Sequence, residues 1–436
     1  MQVIEAETKT NPMQNKFMKN FILLSFGRAA SGLGSSIFGF GMSLYVLDLT
    51  GSAAVFSLIF SLSILPGVLV NLFASVFIDR SNKKQVMVAA DIFSGIMVLL
   101  FLALFRANPQ SILLFVVYSV SLSLVQSVFN LAISSSIPEF VDKDNVARVN
   151  STMQALSASI SIIGPILGAI AYKALGLDML FLLNGIALIL AGLAEIFLVY
   201  VYITPVCSTE GRNSYFSDMK ITFAYLAKYK VLAFFFLFAA VINFIYNPLM
   251  FVVLRYVSYN QIKVTGFQLS VIQAAGATGV ILAALAISIK KQMYKMLMRK
   301  FFTLFKAQAV LIMAWIFPVL PIFKDGSKWY IVVIFSILLI LYGAMNTAQN
   351  IPVVTYFQLK IPDNMRARII GVFSTSLYIS SPIGMWLYGI LLESVKWTYV
   401  TFFSGVLMLV LGVLANRSKY YVEFLQQQDN QEVMAA

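Results

Sequence analysis

The sequence predicts an all-α integral membrane protein with twelve transmembrane helices in two pseudo-symmetric six-helix bundles. Three observations carry this. Of the 436 residues, 60% are hydrophobic and only 11% are charged, against about 25% charged in an average soluble domain. Twelve apolar stretches fill the chain, each near the roughly 20 residues a helix needs to cross a hydrocarbon core about 30 Å thick. The two sets of six also echo each other. Leu49-Thr50-Gly51-Ser52 returns as Val264-Thr265-Gly266-Phe267, Ala147-Arg148 as Ala367-Arg368, and Gly164 as Gly384. Two related six-helix halves are the usual skeleton of a secondary transporter.

In chain order, a tail at 1–19 precedes a first bundle at 20–203, whose spans are 20–47, 53–77, 85–105, 111–137, 151–172 and 178–203. A linker at 204–230, with Ser, Gly and charges, divides the halves. The second bundle, 231–415, holds spans 231–253, 267–289, 301–323, 329–352, 368–391 and 397–415, the eighth and ninth being the least cleanly separated. Within the linker, Met219, Phe223 and Leu226 recur at helical spacing and predict a surface amphipathic helix over Ser217–Tyr229. The tail at 416–436 turns polar and Gln-rich and is expected to fray. Residues 1–18 contain no short apolar segment followed by a small-residue cleavage site, so no signal peptide is expected.

The net charge of +13 raises the question of nucleic acid, but its distribution answers otherwise. With the N-terminus placed inside, inner segments carry 22 Lys or Arg and outer loops seven, Arg255 and Lys263 among the latter. Arg28 and Lys306 fall within spans, where Lys306 is expected to snorkel to the surface. This asymmetry predicts a multi-pass protein of the cell membrane with both termini cytoplasmic, and no nucleic-acid partner is needed. Cys207 is the lone cysteine, so no intrachain disulfide forms. The absence of His excludes imidazole metal sites and histidine catalysis, and no metal is expected.

Span 1 carries Gly27, Ser31, Ser35 and Gly39 at intervals of four, a stripe that admits another helix closely. Between spans 2 and 3 the chain reads Asp79-Arg80-Ser81-Asn82-Lys83-Lys84. A carboxylate at a helix end, a tight turn and a basic cluster can latch helix ends together. Asn82 suits that turn because its side chain tolerates the left-handed conformation. Lys83 and Lys84 are also what any inner loop would carry.

Ser75-x-x-x-Asp79-Arg80-x-x-Lys83-Lys84 resembles the signature between helices 2 and 3 of the major facilitator superfamily, with Ser75 and Asn82 where Gly is usual. Leu49 to Ser52, Leu65-Pro66, Ile137 to Val141, Ala147 to Asn150 and Gly164 to Gly168 extend the resemblance. Together they look like the drug-efflux branch containing macrolide-efflux-like and siderophore-exporter-like proteins. The resemblance covers about residues 17–415. It implies the major facilitator fold and transport, with Ser75, Asp79, Arg80, Asn82, Lys83 and Lys84 as a cytoplasmic gate motif. Gly164-Pro165-x-x-Gly168 in span 5 resembles part of the family's antiporter signature, with Ile160 where an earlier Gly is expected. Proline removes a donor and crowds the preceding turn, so a bend is expected there.

Charges within spans carry the chemistry. A charge at mid-membrane costs roughly 2.5–3.5 kcal/mol on insertion scales, so it faces a cavity or a partner. Arg28, Asp91 and Glu195 are the candidates for proton coupling. Asp91 either couples or joins the Asp79/Arg80 latch. Glu195 either carries a proton, lying uncharged in the apolar phase and ionising where water reaches it, or pairs with a polar neighbour. Gln126, Asn130, Asn243, Tyr246, Asn247 and Asn346 are candidate cavity residues, with Gln154, Asn184, Gln273, Gln349, Asn350, Phe244, Tyr342 and Trp315 nearby in the pattern. Apolar walls with a few placed polar groups suit an amphiphilic organic ligand. Asn243 and Asn247 share a face just before Pro248 and are expected to line a broken helix.

The expected function is secondary active export of a small amphiphilic organic compound, a drug, antibiotic or secondary metabolite. Proton antiport supplies the energy, and rocking of one half against the other gives alternating access. No cofactor is expected beyond the proton gradient. The expected partners are the substrate, protons and the lipid bilayer, and the chain is expected to act as a monomer. A lipid or lysolipid flippase, or an importer, is the alternative on the same architecture. A membrane-embedded enzyme is disfavoured because HExxH and GxSxG contexts are missing, and an ATP-driven pump because GxxxxGK[ST] is missing. A receptor or channel explains neither the repeat nor the Asp79-Arg80 turn.

Overall fold

The computed structural model describes residues 12–141, 143–199, 228–289, 293–319, 327–361 and 363–426. Cys207 and most of the helix expected over Ser217–Tyr229, with Met219, Phe223 and Leu226, lie outside them. Among the described residues every regular element is helical, and all twelve expected spans fall on helix, bar a few end residues. The first half runs α1 (Pro12–Thr50), α2 (Ala53–Arg80), α3 (Lys83–Ala107), α4 (Ile112–Phe140) and α5 (Lys143–Ile196). α5 holds two spans, since the chain turns back at Gly176 with φ 74° and ψ 176°, a conformation open to glycine alone without strain. The second half runs α6 (Lys230–Pro248), α7 (Gly266–Ile289), α8 (Met293–Arg299), α9 (Phe301–Met313), α10 (Lys328–Lys360), α11 (Asp363–Ser394) and α12 (Trp397–Asn416). Nine stretches among the described residues are long and apolar enough to cross a membrane, the 49-residue Arg148–Ile196 folding back on itself.

Packing shows what kind of solvent the helices face. On α3, Phe93, Ile96, Leu100 and Leu104 are exposed, while Asp91, Ser94 and Gly95 are buried. Water would penalise that inversion; hydrocarbon favours it, and small residues let helices meet closely. A Cβ on Gly95 would stand 2.8 Å from the Gly185 carbonyl of α5, and one on Gly192 3.3 Å from the Asp91 Cβ. The glycine pair Gly164 and Gly384 does the same work in both halves. A Cβ on Gly164 would overlap Ser36 of α1, and one on Gly384 would overlap the Phe244 carbonyl of α6.

The described chain clusters into two units, Met1–Ser43 with Pro66–Gly211, and Leu44–Leu65 with Arg212–Ala436. The α1–α2 hairpin therefore belongs to the second unit. In the first, an apolar core of Phe17, Leu24, Met87, Phe129, Phe140, Val149 and Leu198 ties α1, α3, α4 and α5. In the second, Phe235, Phe238, Phe301 and Phe302 form an aromatic cluster.

Several expectations change. The tail does not fray as far as residue 426: residues 419–426 are helical, Phe424 is fully buried against Phe235, and the Tyr421 hydroxyl reaches the Met298 and Arg299 carbonyls at 3.0 and 2.9 Å. Its aromatic residues outweigh its polar ones. Asn82 is not left-handed. At φ −68° and ψ 100° it caps α3, its side-chain oxygen accepting from the Gln85 N–H at 3.1 Å, because the turn needs an acceptor for a free helix N–H. Nor is α6 broken at Pro248. It continues through π-turns at Leu249–Val253 and Val257–Gln261, flanking Leu254–Tyr256. Pro248 has no N–H for the Phe244 carbonyl, and widening the turn beyond it absorbs the misfit. Arg255, expected in an outer loop, consequently lies inside the helix.

Candidate functional site

The three embedded charges of the first half come together. Asp91 on α3 and Glu195 on the second arm of α5 are 3% and 1% exposed. Arg28 on α1 lies within electrostatic range of Asp91, and Asp91 within range of Glu195. Close helix contacts set the geometry: a Cβ on Gly27 would lie 3.5 Å from Glu195 Oε1. One oxygen of each carboxyl, Asp91 Oδ2 and Glu195 Oε2, is shut from solvent with no hydrogen-bond partner. Arg28 donates from Nη2 to Ser157 Oγ at 3.0 Å.

Beyond Arg28 opens a recess of about 540 Å³ lined by Asn130, Asn150, Gln154 and Ser157 with Ile133 and Met153. Arg28 thus faces the carboxyls on one side and an amide-rich space on the other. Gln126 is drawn instead into a chain of polar contacts between helices. Its Nε2 donates to Ser35 Oγ at 3.2 Å, Ser35 to Asn184 Oδ1 at 3.4 Å, and Asn184 to the Tyr118 hydroxyl at 3.5 Å. Of the α1 stripe, Gly27 and Ser35 meet α5, whereas a Cβ on Gly39 would touch nothing within 4 Å.

Around the turn before α3, Lys83 reaches the Ser135 carbonyl at 3.4 Å and Lys84 the Leu198 carbonyl at 2.8 Å. Lys84 therefore meets the end of α5, where a cation offsets the helix dipole, and Lys83 reaches a carbonyl in the last third of α4. Ser75, Asp79 and Arg80 lie on α2, but their side chains fall outside the described residues. Pro165 and its flanking glycines sit in helical backbone, since the non-helical dihedrals of α5 are at Gly176. The glycines admit α1: a Cβ on Gly168 would lie 2.7 Å from the Ile37 carbonyl.

In the second unit, Asn243 donates to the Ala239 carbonyl at 2.9 Å and Asn247 to Asn243 at 3.0 Å. Tyr246 stacks on Tyr342 with ring centroids 5.2 Å apart and planes 5° apart. Asn346 accepts from Asn350 at 2.9 Å. Amides paired this way leave the tyrosine stack as an apolar wall with a few polar edges.

Four residues escaped the sequence reading. Asn20, fully buried, donates to the Phe140 and Val199 carbonyls at 2.8 and 2.6 Å and accepts from the Val199 N–H at 2.9 Å. A lone amide just ahead of an apolar run was its only signal. Glu393 accepts at Oε1 from Ser52 Oγ at 2.6 Å and from the Ala54 N–H at 3.1 Å, capping α2 from the end of α11. The Ser52 hydroxyl first and the Ala54 N–H second hold its carboxyl below the usual value, against slight burial. Ser157 gave no signal of its own. The fourth is Arg255, whose helix carries no Gly or Pro between Pro248 and Gly266 to end it.

Arg255 lies over Phe60 and Phe251, its guanidinium carbon 5.7 and 5.9 Å from the ring centroids. Its Nε is shut from solvent without a partner, and among the described residues it meets no carboxylate within ion-pair distance. Asp48 on α1 accepts instead from the Tyr259 hydroxyl. Burying an ion costs several kcal/mol, whereas each cation–π contact returns about 0.5–2 kcal/mol and satisfies no N–H.

The chain as a whole is similar to known proteins. A profile of the Major Facilitator Superfamily matches residues 24–385. Macrolide efflux protein A of Streptococcus pyogenes is 20% identical over 407 residues, covering 92% of this chain and 96% of that protein. An uncharacterised MFS-type transporter of Bacillus subtilis strain 168, YkuC, is 28% identical over 177 residues, 40% of each chain. Among solved structures, a bacterial homologue of the iron transporter ferroportin in its inward-facing state has a TM-score of 0.69 at 15% identity, over 92% of this chain and 99% of that one. The nucleoside transporter NupG has a TM-score of 0.67 at 16% identity, over 93% and 100%. At such identities the structural likenesses speak for the fold. The expected resemblance and fold are borne out, and with most of its length matched by the profile the chain belongs to the Major Facilitator Superfamily.

Proposed function

We propose that this transporter exports a small amphiphilic organic compound across the cell membrane by proton antiport, with both termini cytoplasmic. The observation that carries the reading is the convergence of Arg28, Asp91 and Glu195 beside an amide-lined recess. One guanidinium balances one carboxylate; the second carboxyl is balanced in a low-dielectric site only by a proton. Proton uptake and release there changes the charge of a helix junction that also forms the wall of the recess. Glu195 is the proposed carrier, Asp91 its electrostatic neighbour, and Arg28 the link to the recess through Ser157. Asn130 is proposed to contact substrate in the first unit, and Asn243, Tyr246, Asn247 and Asn346 are proposed to do so in the second. Lys83 and Lys84, with the rest of their motif, are proposed to hold the cytoplasmic ends of the helices. The name of the macrolide efflux relative supports export and an amphiphilic cargo.

The test uses proteoliposomes with an imposed pH gradient and a panel of amphiphiles that includes a macrolide. Gradient-driven accumulation is expected to vanish with a protonophore and in Glu195→Gln, with protein yield unchanged. Accumulation that ignores both treatments would sink the antiport reading in favour of gradient-independent flipping.

A further inference from the structure

We propose that Arg255 is the centre of an anion-binding site. Its ligand is the carboxylate, sulfonate or phosphate group of an amphiphile whose apolar body rests on Phe60 and Phe251. The guanidinium carries a full charge and, among the described residues, meets no carboxylate within ion-pair distance. Its Nε is sealed off and unpartnered, while the residue as a whole keeps part of its surface, and the proposed anion approaches the forked Nη end. A guanidinium fork matches planar and tetrahedral oxyanions by paired hydrogen bonds.

Two further features point to the same ligand. Asp48, the carboxylate on the neighbouring stretch of α1, accepts from Tyr259 and stands outside ion-pair distance of the guanidinium. Phe251 is 45% exposed, so one ring beside the charge is open to an apolar group. The π-turns on either side of Leu254–Tyr256 explain how the helix places this group. They shift the hydrogen-bond register, as π-bulges commonly do at functional sites.

The test is thermal unfolding of the full-length protein in a neutral detergent with naphthalene-1-sulfonate or its uncharged counterpart naphthalene-1-methanol. The sulfonate is expected to raise Tm saturably and the alcohol not to. In Arg255→Gln the sulfonate concentration needed should rise about thirtyfold or more, as when one partner of a buried charge pair is removed. Arg255→Lys should fall between. Without ligand, Arg255→Gln should be no less stable than the parent, since an unbalanced buried cation has gone. Repeating the scan in phosphatidylcholine nanodiscs with and without phosphatidylglycerol separates the sources of the anion. Stabilisation by phosphatidylglycerol that leaves no further response to sulfonate assigns the site to a lipid headgroup, and a sulfonate response in both discs assigns it to a free amphiphile. Equal sulfonate responses in parent and Arg255→Gln overturn the proposal. So does indifference of the parent to both anions, or loss of the fold in Arg255→Gln. No gradient enters the assay, so failure of the antiport reading leaves this result standing, and the reverse also holds.

Discussion

Each unit of this transporter holds an arginine within a membrane-spanning helix, and the two live in opposite circumstances. Arg28 has Asp91 in electrostatic range, a hydrogen bond to Ser157 and Glu195 one step further away. Arg255 has two aromatic faces and no carboxylate among the described residues. The first is embedded in a network that gains or loses charge only by moving a proton. The second is a charge without a carboxylate in ion-pair distance among the described residues. In the two proposals above the same residue type serves coupling in one half and ligand capture in the other, and the carboxyls nearby make the difference.

Removing each arginine breaks or sharpens that contrast. Arg28→Gln should lower unfolding stability by about 1–3 kcal/mol, since the Ser157 hydrogen bond and the charge facing a buried carboxyl both go, and Asp91→Asn in the same chain should restore part of it. Arg255→Gln should show no such loss in the same melt. Equal losses for the two would abolish the distinction between them. A comparable effect is expected at the repeated glycines. Gly384→Ala should cost about 1–3 kcal/mol by overpacking, since the methyl meets the Phe244 carbonyl, which is backbone. Gly164→Ala meets the Ser36 side chain, so Ser36→Gly should recover much of its loss, while no side-chain change should rescue Gly384→Ala. The smallest effect belongs to Glu393. Its carboxyl is held below the usual value in the bonded state, so its cap on α2 is complete above that value and is lost as pH falls through the lowered one. Protection of the Ala54 and Val55 amides, taken relative to the intrinsic exchange rate at each pH, should hold at neutral pH and fall only in acid. Glu393→Gln should lower it at every pH by less than about 1 kcal/mol equivalent, because the group is exposed.

Much of the fold was legible because hydrocarbon imposes one-dimensional rules. Span lengths, the glycine echo and the pairing of Arg28, Asp91 and Glu195 as anomalies could all be read without knowing where helices touch. What escaped was set by the third dimension. Asn20 is one amide among many in the sequence, and only folding brings the Phe140 and Val199 carbonyls to it. Arg255 was assigned to a loop because hydropathy falls after Val253, yet nothing there ends a helix and the π-turns carry it on. Gln126 looked like a cavity residue and is bonded to Ser35. Polarity shows that an embedded side chain needs a partner; it does not show whether that partner is protein or ligand.

The passage of α1 and α2 between the two units has a mechanical consequence. α1 leaves the first unit after Ser43, and α2 returns to it at Pro66. Each crossing lies beside a residue type that weakens an α-helix. α1 has Gly39 and Gly41 just before it, and a Cβ on Gly39 would touch nothing within 4 Å. α2 has Pro66 itself, which leaves the Leu62 carbonyl without its usual donor. The hairpin from Leu44 to Leu65 is thus bounded at each end by a residue that loosens helical backbone, and Gly39→Ala or Pro66→Ala is expected to raise amide protection there while leaving both units folded.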